Sequence, residues 1–154
     1  MAKFLMPIVS LFMMLVFSAP VYATNLFVIS PSTGVAIHGF DPVAYFDKNA
    51  AVIGLEDLEV EWRNTYWKFE NQANKERFLD SPQTYAPQFN GYGAFSVAQG
   101  RLVEGNPYVW AIYKNRLLLF HSLEARNAWI KNPDEYNKLG QRNWKKLRAT
   151  LSRH

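Results

Sequence analysis

The chain has 154 residues, with 17 Lys and Arg against 13 Asp and Glu, a formal net charge of +4, 49% hydrophobic residues and no cysteine. One domain is the expected organisation, and disulfides, thiolate metal sites and thiol nucleophiles are excluded. So mild a basic excess supports solubility and does not argue for nucleic acid.

Residues 1–23 read as a signal peptide. Lys3 gives the charged start, Phe4 to Phe17 are almost wholly apolar, and Val21 and Ala23 put small residues at the −3 and −1 positions of a cleavage site. Pro7 and Pro20 argue against a membrane anchor. Cleavage near Ala23 would give a periplasmic or secreted chain of residues 24–154. Lys3 is the one charge removed, so the net charge falls from +4 to +3, and Met1, Met6, Met13 and Met14, all the methionines, leave with it.

After a polar opening, Gly39 and Phe40-Asp41-Pro42 mark a turn. Asp41 can bond the backbone two residues on, and Pro42 suits the start of a short helix that offers Val43, Tyr45 and Phe46 to a core. Residues 47–58 read as a loop. Glu59 to Arg63 and Tyr66 to Phe69 alternate around Asn64-Thr65 as a β-hairpin, with Val60, Trp62, Trp67 and Phe69 inward and Glu59 and Glu61 on the solvent face. Asn71 caps a predicted helix over 72–80, anchored by Phe78 and Leu79 and ended by Pro82.

The same pattern returns 51 residues later. Asn64/Asn115, Phe69/Phe120, Phe78/Trp129, Leu79/Ile130, Pro82/Pro133 and Tyr85/Tyr136 match without a gap. A second hairpin is therefore predicted over 108–120, with Ser122 as cap and a helix over 123–131 facing inward through Trp129 and Ile130. Neither unit has enough apolar area alone. The expected fold is α+β, a single small domain over 24–140, built from two pseudo-repeated hairpin–helix units on one aromatic-rich core. Trp144, Leu147 and Leu151 recur at helical spacing among Arg142, Lys145, Lys146 and Arg148, so 141–154 reads as a basic helix or tail. It would dock by Trp144 and touch anionic membrane surfaces weakly through its basic face.

Between the units, Gly91 and Gly93 bracket Tyr92 in a turn without the strand, Lys and Ser/Thr of a phosphate loop. Residues 39–46 (Gly-Phe-Asp-Pro-Val-Ala-Tyr-Phe), the aromatic hairpin and Pro-x-x-Tyr ending of 66–85, the stretch 86–100 and Asn143-Trp144 together resemble exported bacterial proteins of the YHS-domain family. The resemblance covers nearly all of the chain after residue 23. It implies kinship with TRASH-type modules, which handle metals through cysteines. Exported relatives commonly carry Gly-Gly-Tyr-Cys-Ala where this chain has Asn90-Gly91-Tyr92-Gly93-Ala94, so Gly93 stands at the cysteine position.

Three functional classes follow. The first is a non-enzymatic binding module for a small ligand or protein partner, using Tyr45, Tyr66, Tyr92, Tyr108 and Trp110 and the face formed by residues 38–45 and 90–95. The second is a site for copper(II), zinc or nickel built from His38, Asp41 and His121, the harder ligands left without cysteine. The third is an enzyme, which the residues do not favour: Ser96 is in no nucleophile elbow, and Glu59 with Glu61 is a solvent-facing pair. The first reading is the one adopted.

Overall fold

A computed structural model describes residues 27–28 and 34–151. The predicted signal peptide lies outside the described residues. In order come a 3-10 turn at Ile37–Gly39, α1 Ala44–Asp47, β1 Leu55–Glu61, β2 Tyr66–Phe69, α2 Gln72–Asp80, α3 Pro82–Tyr85, a second 3-10 turn at Gln88–Gly91, α4 Ala94–Ala98, β3 Asn106–Tyr113, β4 Arg116–Phe120, α5 Leu123–Trp129 and α6 Pro133–Leu151. The class is α+β, as expected. Among the described residues, four strands form two separate antiparallel pairs, β1 with β2 and β3 with β4.

Both hairpins close on two residues with positive φ, Arg63-Asn64 (51° and 60°) and Lys114-Asn115 (47° and 56°), the signs that match the twist of a two-residue turn. Both first strands carry a register shift, between Leu55 and Glu59 and between Asn106 and Trp110. Strand β1 therefore starts four residues before the expected Glu59, because the irregularity hides its alternation. Each bulged strand is entered through a glycine that the partner strand crowds. A Cβ on Gly54 would lie 2.5 Å from the Lys68 backbone, and one on Gly105 would lie 2.6 Å from the Leu119 Cβ.

The helices after the hairpins start on their expected caps. The Asn71 side chain accepts from Asn74 N and the Ser122 hydroxyl from Ala125 N. Phe78 and Trp129 are buried as predicted, but Leu79 and Ile130 are 53% and 49% exposed. Consecutive helical residues point about 100° apart, so only one of each pair can face the sheet. The C-terminal segment is not a separate element from residue 141. It belongs to α6, which starts at Pro133 because proline suits a first turn.

Two clusters make the core. One joins Tyr45, Trp67, Phe69 and Phe78 to Leu117 and Leu119; the other joins Phe89, Val97 and Trp129 to Leu118 and Phe120. Helix α6 closes the second cluster. Its Gly140 admits the Phe89 ring, to which a Cβ there would come within 2.8 Å, and its Trp144 packs on Phe89 with ring centroids 5.8 Å apart. Asn143 Nδ2 donates to Ala98 O at 2.9 Å, fastening α6 to the end of α4.

The first unit is tied by one carboxylate. Asp41 is fully buried; its Oδ1 accepts from Val43 N at 2.8 Å and Ala44 N at 3.3 Å, and its Oδ2 from Glu70 N at 2.9 Å and Asn74 Nδ2 at 2.6 Å. Replacing Asp41 by alanine would strand these donors, each buried unpaired group costing about 1–3 kcal/mol. We expect Asp41→Ala to lower unfolding free energy by about 3–5 kcal/mol in urea melts. Asp41→Asn should fall between, since its amide presents a donor where a second acceptor is needed.

Candidate functional site

The predicted aromatic cleft does not form. Tyr45 is in the core, its hydroxyl donating to Pro107 O at 3.0 Å and its ring edge-on to Trp110 at 5.2 Å. Tyr92 leans on Trp144 at 6.1 Å, and Tyr66 stands partly exposed at the start of β2. Of the five rings, Tyr108 and Trp110 share a hollow, a depression of about 470 Å³ floored by β3 and flanked by Leu123 and Arg126. A small core consumes aromatic rings in edge-on pairs, and a count of rings does not show which remain outside.

The proposed metal trio is also not assembled. Asp41 is enclosed by its four donors. His38 Nε2 instead meets Glu104 Oε1 at 2.5 Å, and His121 Nδ1 lies 3.2 Å from the Glu104 carbonyl oxygen. Among the described residues, no group of three His, Asp or Glu is placed to hold a metal ion. Gly93 sits against the His121 backbone, where a Cβ would come within 3.1 Å of its nitrogen.

The structure does bring both histidines to one place. An open groove of about 440 Å³ runs between the first 3-10 turn and the entry to β3, lined by His38, Phe40, Glu104, Tyr108 and His121 with Gly105 to Pro107 between them. Its walls are mostly apolar, and its polar atoms gather at the His38, Glu104 and His121 end. Tyr108 is 71% exposed yet held, its ring edge-on to Phe40 at 5.0 Å. Asn106 Oδ1 accepts from Tyr108 N at 2.9 Å and fixes the strand entry that presents the ring.

The groove and the expected face overlap only in part. Residues 38 and 40 contribute, 41 to 45 turn inward, and 104–108 with His121 take the place given to 90–95. Tyr92 still matters locally, because it pairs in an antiparallel bridge with Glu104 and holds the groove's acidic residue at the rim. Glu104 was missed by sequence reasoning, since Gly105-Asn106-Pro107 signalled a turn and nothing distinguished the residue before it.

Burial, then the charge of Asp41 and the neighbouring Tyr108 hydroxyl, push the Tyr45 phenol far above its usual value. Tyr92 is raised too, by burial and then by Glu104. Comparison with known protein families, curated proteins and solved structures finds no match for this chain.

A raised phenol pKa stabilises the fold fully below the unfolded value of about 10 and loses that contribution as pH rises towards the folded value. Tyrosine absorbance followed against pH should show one phenol that ionises only with unfolding. Tyr45→Phe should remove this late step and flatten the alkaline loss of stability.

Proposed function

We propose that this protein is an exported, non-enzymatic binding module of the YHS type, built from two pseudo-repeated units, that takes a small planar ligand in the groove between Phe40 and Tyr108. The observation that carries this is Tyr108, a large exposed ring at the entry to β3, set edge-on to Phe40 beside hydrogen-bonding groups. An apolar wall with a few convergent polar atoms is the usual composition of a small-ligand site. Here the wall would take the flat face of a ring, and the His38, Glu104 and His121 end would take its polar substituent. The pseudo-repeat is supported by similar bonds ahead of the two hairpins, Gly54 N to Gly39 O at 2.8 Å and Gly105 N to Gly91 O at 3.0 Å, with donors 51 and acceptors 52 residues apart.

A second reading, metal binding, rests on the meeting of His38 and His121 around Glu104. Copper(II), zinc or nickel would then have to draw these three side chains together, since Asp41 is committed elsewhere.

Amide shift mapping with a set of small planar aromatic fragments separates the readings. The ligand reading expects shifts clustered at 38–40, 104–108 and 121, and about a tenfold affinity loss in Tyr108→Ala, the order of one aromatic contact. Shifts elsewhere, or indifference to Tyr108→Ala, would sink it. The metal reading expects stoichiometric stabilisation by one of the three ions that His38→Ala and His121→Ala each abolish while Tyr108→Ala does not.

A further inference from the structure

A second hollow, sharing no residue with the groove, lies where the first hairpin turn, the chain before α4, the foot of β4 and the end of α6 meet. Its volume is about 220 Å³, and its lining residues include Arg63, Arg116 and Arg148, Gln83, Gln88 and Gln141, and Trp62 and Trp144. Three arginines thus border one space, and no Asp or Glu is among its described lining residues.

This arrangement differs from the other arginines whose contacts are defined. Arg77 pairs with Asp47 and Tyr85, Arg126 donates to Trp110 O, and Arg101 donates to Gln99. Arg116, by contrast, is half-buried, and its Nε is inaccessible with no hydrogen-bond partner. Burial pushes its pKa down, and no neighbouring charge offsets that. No Asp or Glu occurs among residues 1–26, 29–33 and 152–154 of the sequence. A partly buried guanidinium without a counter-charge is unfavourable, so its retention calls for an anion from outside. The pocket is also prepared for one. Arg63 is steadied over the Trp62 ring at 4.5 Å, and Trp144 is wedged on Phe89, so neither wall needs to be ordered on binding.

We propose that this pocket is an anion site that takes a small polyvalent oxyanion, carboxylate or phosphate. Arg116 reaches it from the floor, and Arg63 and Arg148 close on it from the rim. Guanidinium is the group suited to this work, since its fixed fork matches two oxygens of a carboxylate or phosphate and its charge is weakly hydrated. The neutral glutamine amides add directional donors without introducing repulsion. The position also ties ligand to fold, because one anion would join both hairpins and α6.

Calorimetric titration of the full chain with citrate and, separately, inorganic phosphate tests this. One-to-one binding of either supports the site; citrate alone assigns it to carboxylates and phosphate alone to phosphates. Arg148→Gln and Arg63→Gln, at exposed positions, should each weaken binding roughly tenfold, and Arg116→Gln roughly a hundredfold, as expected for charge-assisted bonds. Lys145→Gln, on the same helix but outside the lining, and Tyr108→Ala, in the groove, should leave it unchanged. No binding of either anion at millimolar concentration would overturn the proposal. So would equal losses in Lys145→Gln and Arg148→Gln, which would mark diffuse charge attraction. If Arg116→Gln fails to fold, the two rim variants decide alone.

Discussion

Strand β4 is buried on both faces, and the architecture depends on it. Leu117 and Leu119 enter the cluster of the first unit, whereas Leu118 and Phe120 enter that of the second. Each such side chain contributes about 1.5–3 kcal/mol of apolar burial, an upper bound because unfolded chains are partly collapsed. The two strand pairs share no ladder, so side chains do the joining. A run of four consecutive apolar residues is what that position requires, since alternation would leave one cluster unfilled.

The two hairpins share a turn geometry and a register shift, but their surroundings differ. Asp41 N donates to Val52 O and Gly93 N to Val103 O, both at 2.8 Å, which puts Gly93 at the place that Asp41 holds in the first unit. There the carboxylate binds together α1, the end of β2 and α2; at Gly93 no side chain is present to do so. The second unit is held instead by α6, through Gly140, Asn143 and Trp144. A similar exchange separates β2 from β4. Tyr66 and Lys68 occupy the face that Leu117 and Leu119 use for docking, and Lys68 turns to Glu56 at 2.6 Å. One unit is therefore the docking partner and the other presents a surface, which is how two similar hairpins make one asymmetric domain.

Short-range features were legible in the sequence because short-range physics sets them. The Asn64 and Asn115 turns, the Asn71 and Ser122 caps and the Asp41 turn each depend on side chains within a few residues of the backbone they satisfy. What was not legible depends on distant partners. Nothing near Asp41 announces that Glu70 and Asn74 will surround it, which is why it could be read as a free ligand. Nothing near Tyr45 announces that Pro107 will accept its hydroxyl. Leu79 and Ile130 mislead for another reason: hydrophobic character marks a residue that can be buried, and helical geometry decides which of two neighbours is. The candidate groove was half visible, through His38 and His121, because histidines are few; Glu104 was hidden among ordinary surface acids.

Both hollows lie on the seam between the units, at different places, and the packing explains why. Joining two hairpins through the face of one strand covers its middle, but it cannot cover the connecting turns, whose backbones bend away from the contact. At one place the first 3-10 turn faces the entry to β3 and leaves the groove beside Tyr108. At another, the first hairpin turn faces the foot of β4 and leaves the arginine-lined pocket, with α6 as a third wall. The residues at these places are under no demand from the core, so their chemistry is free to differ from it. That freedom has been used differently: a ring with histidines and one acid around the groove, and three cations without an acid around the pocket. A half-buried cation whose Nε lacks a partner opposes folding, whereas an exposed Tyr is nearly neutral to it. Arginine at the foot of β4 is therefore the stronger sign that the seam does more than hold the units together.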